Sequence, residues 1–406
     1  MYALRGRLQP ALSIAAGRHS CYDTAMVNET KEKRRLSAIF RLCPGAHILL
    51  GLSLLVIGAQ QLLRHNHALM KSLSESFIAP LHQRMASFCA LLGSQSVAEI
   101  LIALFVITVL VYIIYELAML ALRPGRLGRL YGLVLRLAAT GFAVYAGYTL
   151  LWGVYYYGDD FISASGLESS EISVEQLETV TVYFAEKLND YSGLVDRDAE
   201  GRYIADREAI LARSDRVYLG LERQFPCLEG PDIRAKGLRL SRVLSYMDFT
   251  GFFFPFTAEA NVNTDFPPGL FASTVAHELA HQRGVAKEQE ANFVAVLSSL
   301  DYGDADYCYS ACMLAYTHLG NALYSVNYSA WELVYSGLEE NVLRDFEENR
   351  AYWAQFETPV QAVTTGVYEG FLQSYDQELG MKSYGACVDL LVNYYYAEAA
   401  EHFGRG

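Results

Sequence analysis

No Cys-x-x-Cys pair occurs among the seven cysteines, and their number is odd. The cysteines therefore read as small apolar side chains of a core or membrane, not as a disulfide framework. Cys308 and Cys312, four apart, suit one helix face. Proline is scarce, at 10 of 406 residues, and glycine stands at 31, which excludes a collagen-like or broadly low-complexity chain. No internal repeat is evident. Charge is also sparse, at 19% of residues, and bases are outnumbered 32 to 45. A formal net charge of -13 argues against nucleic acid as a partner, because phosphate binding needs a basic face.

What the chain has instead is apolar residue, 52% of the total, with mean hydropathy +0.14. That balance points to membrane segments. The charge is split unevenly. Residues 1–157 hold 15 Lys+Arg and 6 Asp+Glu, a balance of +9, and residues 158–406 hold 17 and 39, a balance of -22. A basic, hydrophobic anchor thus precedes an acidic, water-soluble part. Residues 1–43 form a basic tail in which 1–30 lack periodicity, and Met26 is a second candidate start. Apolar runs at about 46–63, 97–122 and 131–157 are each long enough for the roughly 17–25 helical residues that span a bilayer. Basic flanks before the first run and at Arg123, Arg126 and Arg129 place both on the cytoplasmic side. The segment 64–96 and everything after residue 157 are then expected outside. Trp152, Tyr155, Tyr156 and Tyr157 suit an aromatic belt at the outer interface. Glu116, inside the second run, is a candidate functional carboxylate or a side chain reaching for the interface.

In the soluble part, 158–406, helices are expected over 173–191 and 206–223. Strands are expected over 238–247 and 252–263, the second at a sheet edge because Pro255 cannot donate to a ladder. After a turn at 264–269, helical spacing covers 270–283, 287–300, 305–326, 329–356, 360–379 and 383–402. The fold class is mainly α with a small β-sheet.

Residues 277–281 read His-Glu-Leu-Ala-His. Positions i and i+4 share a helix face, so His277 and His281 can hold one zinc ion. Glu278 can then take a proton from water whose pKa the metal has lowered and pass it to a leaving amine. A catalytic zinc needs a third protein ligand and an open position. Glu288 and Glu290 follow closely, beyond Gly284, which can turn the chain back. A ligand from a distant segment is the third alternative. The segment Glu288-Gln289-Glu290-Ala291-Asn292 resembles the E-x-x-A-[DN] element of gluzincin proteases. The resemblance implies Glu288 as ligand and Asn292 as the residue that orients one. Strand 252–263 could pair with an extended peptide, with Glu259 or Asn261 touching substrate. Tyr384 and His318 are candidates for stabilising an oxyanion, and Cys308 and Cys312 for additional metal contacts.

The stretch PFTAEANVNTDFPPGLFASTVAHELAHQRGVAKEQEANFVAVL, with Ser383-Tyr384-Gly385 further on, resembles the domain of unknown function 3810 family over about residues 40–400. The resemblance implies a bacterial membrane protein with three N-terminal spans and a zincin-like C-terminal domain. The expectation is a membrane-anchored zinc metallopeptidase acting on peptides or proteins outside the cytoplasmic membrane. The alternatives are a non-catalytic zinc-containing sensor or scaffold and a cell-wall peptide amide hydrolase. An intramembrane protease fits poorly, because Arg283, Lys287, Glu288 and Glu290 interrupt the motif region.

Overall fold

A computed structural model describes residues 41–167, 170–375 and 384–404. Most of the basic tail lies outside the described residues. Among those described, the chain is mainly helical with one three-stranded sheet. Three helices are long and apolar enough to cross a membrane: Pro44–Leu63, Val97–Leu122 and Arg126–Gly153. The third starts and ends earlier than the sequence pattern implied, and 155–157 form a 3-10 turn beyond it.

Two compact units emerge, one from residues up to 57 with 109–146, the other from 58–108 with 147–406. In the first unit Glu116 is 3.4 Å from Arg136 and 3.8 Å from Arg129. That pairing gives the carboxylate basic partners within its own unit. The second unit holds the main core and takes in more than the acidic region 158–406. Its segment 58–108 contributes the helices His67–Leu73 and Ala79–Leu91, joined by a π-helical turn.

The sheet has the order β1-β3-β2, with β1 at Lys236–Gly237, β2 at Gly251–Phe254 and β3 at Glu259–Val262. β3 is central, parallel to β1 and antiparallel to β2. The expected strand 252–263 is thus two strands of a hairpin, and Pro255 sits in the turn, where its missing N–H costs nothing. The expected strand 238–247 is instead the helix Ser241–Tyr246. Leu240, Val243, Leu244 and Met247 carry helical spacing within a run that also alternates. The Glu99 carboxylate also accepts from the N–H groups of Leu240 (2.6 Å) and Arg239 (3.2 Å), which favours a helix start there.

The region 206–223 breaks into Arg207–Ala212, a 3-10 turn and Leu221–Gln224. The long expected helix 329–356 is interrupted at Gly337, giving Tyr328–Ser336 and Glu340–Ala354. The motif helix Phe271–Gln282 is buried along nearly its whole length. It packs against the sheet and the helices Glu288–Tyr302 and Ala305–Val326, which makes its position rigid.

Glu259 and Asn261 prove to be structural. Glu259 accepts from the N–H groups of Val97 (3.2 Å) and Ala98 (2.7 Å) and from the Thr257 hydroxyl (2.9 Å). It also pairs with buried Lys236 at 2.7 Å. The carboxylate therefore satisfies orphan donors at the start of helix Val97–Leu122. Asn261 is fully buried, accepts from Ser96 Oγ at 2.6 Å and donates to the Glu259 carbonyl at 2.9 Å. Neither side chain is left to meet a substrate.

Candidate metal centre

Helix Phe271–Gln282 presents His277 and His281 one turn apart, with ring centroids 4.6 Å from each other. Two residues past the helix, Gly284 adopts φ +90° and reverses the chain. A side chain there would be strained, and its Cβ would come within 2.9 Å of the Tyr155 ring. The reversal brings the next helix, Glu288–Tyr302, back with its first residue at the histidines. Glu288 Oε2 lies 3.2 Å from His277 Nε2 and 3.7 Å from His281 Nε2. Ligand atoms of these three residues all fall within 4.8 Å of one another, and this is the one such cluster among the described residues.

The other ring nitrogens are engaged. His281 Nδ1 donates to the Val285 carbonyl at 2.6 Å. A carbonyl only accepts, so the proton of neutral His281 sits on Nδ1 and its Nε2 lone pair faces Glu288. His277 Nδ1 is 2.9 Å from Asn292 Oδ1, which sets the same tautomer when the amide oxygen accepts. Two imidazoles oriented through Nδ1 beside one carboxylate make a donor set suited to zinc. Burial opposes charge on His281, but the Glu288 carboxylate outweighs it and raises its pKa to about 9. Burial likewise opposes charge on Glu288, and the two histidines hold its carboxyl well below the usual range. The two shifts share one cause, the pairing of the Glu288 carboxylate with the histidines.

Glu278 is 4% exposed, and its Oε2 has no hydrogen-bond partner among the described residues. Burial pushes its carboxyl up to about 7, against the pull of His277 and His281. It lies against β2 at Gly251, where a Cβ would stand 2.6 Å from Glu278 Oε1 and 2.8 Å from the Asn261 carbonyl. Gly251→Ala should therefore displace the carboxyl. In a hydrolytic site a misplacement of this size lowers kcat by about 100-fold. Steady-state kinetics together with metal analysis tests this: if the site is hydrolytic, its activity should fall while its metal content stays. Loss of metal as well would mean that β2 supports the ligands and does not merely place Glu278.

The cluster opens on a cleft of about 610 Å3, walled by Phe252 and Phe253 of β2, by Trp152 and Tyr156, and by Tyr368. Trp152 is 5% exposed, and its ring stands edge-on to His281 at 5.8 Å and packs on Phe253 at 4.8 Å. It is a wall of the site and not part of a surface belt. The Tyr368 hydroxyl donates to Glu288 Oε1 at 2.7 Å, leaving Oε2 toward the histidines. Nothing in the sequence singles it out among 29 tyrosines.

Other expected residues stand elsewhere. Glu290 accepts from the Phe161 N–H at 2.7 Å and lies 3.5 Å from Lys287. It sits outside the cluster, since it follows Glu288 by two residues and points to another helix face. His318 is buried, does not line the cleft, and its pKa is lowered to about 4 by burial and by His277. Cys308 and Cys312 are core residues, Cys308 donating to the Ser299 carbonyl at 3.5 Å. Tyr384 opens the helix Tyr384–His402, but its side chain lies outside the described residues.

A family model described as "Protein of unknown function (DUF3810)" matches residues 75–392. No curated protein and no solved structure matches the chain.

Proposed function

The chain belongs to the DUF3810 family, and from that premise we propose that it is a membrane-anchored zinc metallopeptidase whose cleft faces away from the cytoplasm. The observation that carries this reading is the convergence of His277, His281 and Glu288 in a cleft that also holds Glu278, whose Oε2 has no hydrogen-bond partner among the described residues. His277, His281 and Glu288 would hold the ion. Zinc there would supply a Lewis acid that polarises a carbonyl and lowers the pKa of water. Asn292 and Val285 hold the two rings in the tautomer that keeps Nε2 free. Tyr368 positions Glu288. Glu278 accepts the proton of the attacking water and delivers it to the leaving nitrogen. Trp152 and Phe253 keep bulk water from the carboxyl, which strengthens each of these interactions.

The orientation rests on the Lys and Arg flanks of the apolar helices. Full-length chain in detergent, loaded with zinc, should cleave members of a broad peptide library, lose this with a chelator and regain it with zinc. Stoichiometric zinc without any cleavage would favour a non-catalytic sensor. A reporter fused after residue 160 should be active only outside the cytoplasm.

A further inference from the structure

Residues 64–96 join one membrane-length helix ending at Leu63 to another beginning at Val97. They are not a simple loop. The helix Ala79–Leu91 buries one face, with His82 3%, Ala86 1% and Cys89 5% exposed. A second face is apolar but open: Leu81 is 39% exposed, Phe88 62% and Leu92 57%, continued by Phe77 at 64% in the preceding turn. Spacings of four and seven residues set Leu81, Phe88 and Leu92 on one stripe. Gln83, Arg84 and Ser87 lie on the remaining exposed side, where Leu91, 84% exposed, stands one turn on from Ser87. An apolar stripe of this size in water is costly and marks a contact surface.

We propose that this helix lies in the membrane interface, with Phe77, Leu81, Phe88 and Leu92 at the acyl boundary and Arg84 among the headgroup phosphates. Continuity of the chain argues for lipid over other occupants. A segment tied at both ends to bilayer-crossing helices, one at Leu63 and one at Val97, is confined near a bilayer surface. An amphipathic helix held there gains by sinking its apolar face by about 5–10 Å. The inference does not depend on the chemistry of the cleft, but it bears on it. On the buried side His82 stacks on Tyr155 (6.1 Å between centroids) and meets Phe253 of the cleft wall (5.5 Å). The interfacial helix therefore holds the cleft close to the membrane, where segments anchored in or emerging from the bilayer can reach it.

The test uses the full chain with Cys21 and Cys227 replaced by Ser, reconstituted into phosphatidylcholine–phosphatidylglycerol vesicles. A spin label is placed in turn at Leu81→Cys, Phe88→Cys, Gln83→Cys and Ser87→Cys, all exposed positions that should tolerate it. Collision with oxygen should exceed collision with a polar nickel chelate at 81 and 88, and the order should reverse at 83 and 87. Equal chelate access at all four positions would overturn the proposal. So would dipolar broadening between labels at 88, which would mean that a second copy covers the stripe.

Discussion

Glu278→Gln is expected to abolish turnover and leave the metal in place. The glutamine side chain has the same shape and can occupy the same buried space beside Gly251. It cannot accept a proton, and general-base loss of this kind costs about 10^2–10^4-fold in rate. The expectation is sharp because the carboxyl carries little of the fold. Its Oε2 has no partner among the described residues, although it is shielded from solvent. A buried polar atom left unpaired costs about 1–3 kcal/mol, which a proton-accepting role would account for. The variant should also be no less stable than the parent. Rate and zinc content measured on the same preparation decide the matter. Undiminished hydrolysis would remove Glu278 from the chemistry, and parallel loss of zinc would make it a ligand.

The second large effect concerns the metal. Full-length chain purified in detergent should carry about one zinc per molecule, and His277→Ala, His281→Ala or Glu288→Ala should each bring this to background. Asn292→Ala should keep all three ligands and lose only the acceptor that orients His277, weakening zinc by about 10–100-fold. Competition with a chelating dye measures the difference. Glu290→Gln provides the contrast: its carboxylate serves the Phe161 N–H and Lys287, so zinc should stay while thermal stability falls. If the native chain takes up no zinc and Glu288→Gln only lowers the unfolding temperature, the three residues form an ion-pair cluster between protonated histidine and carboxylate, and the peptidase reading falls with it.

Much of this centre is local and could be read along the chain. The i, i+4 histidines share a face because 3.6 residues make one helical turn. Gly284 marks the reversal because few other residues adopt its backbone angle. Glu288 and Asn292 are one turn apart on the next helix, so one placement serves both. The three apolar helices were legible for the same reason: length and hydropathy are properties of a segment, not of its neighbours.

Contacts between distant segments were not. Trp152 has the composition of a lipid-interface residue, and only packing against His281 and Phe253 makes it a wall of the cleft. Tyr368 reaches Glu288 across 80 residues of sequence. Glu259, an acid within an expected edge strand, is held inward by the N–H groups of Val97 and Ala98. The run 238–247 satisfied both helical and alternating patterns, and the Glu99 carboxylate favoured the helix. Ligand spacing and membrane length thus follow from bond geometry within single elements. The walls of the cleft, the partners of each buried charge and the membership of residues 58–108 in the second unit follow from which surfaces exclude water from one another, and that is settled only when the whole chain has folded.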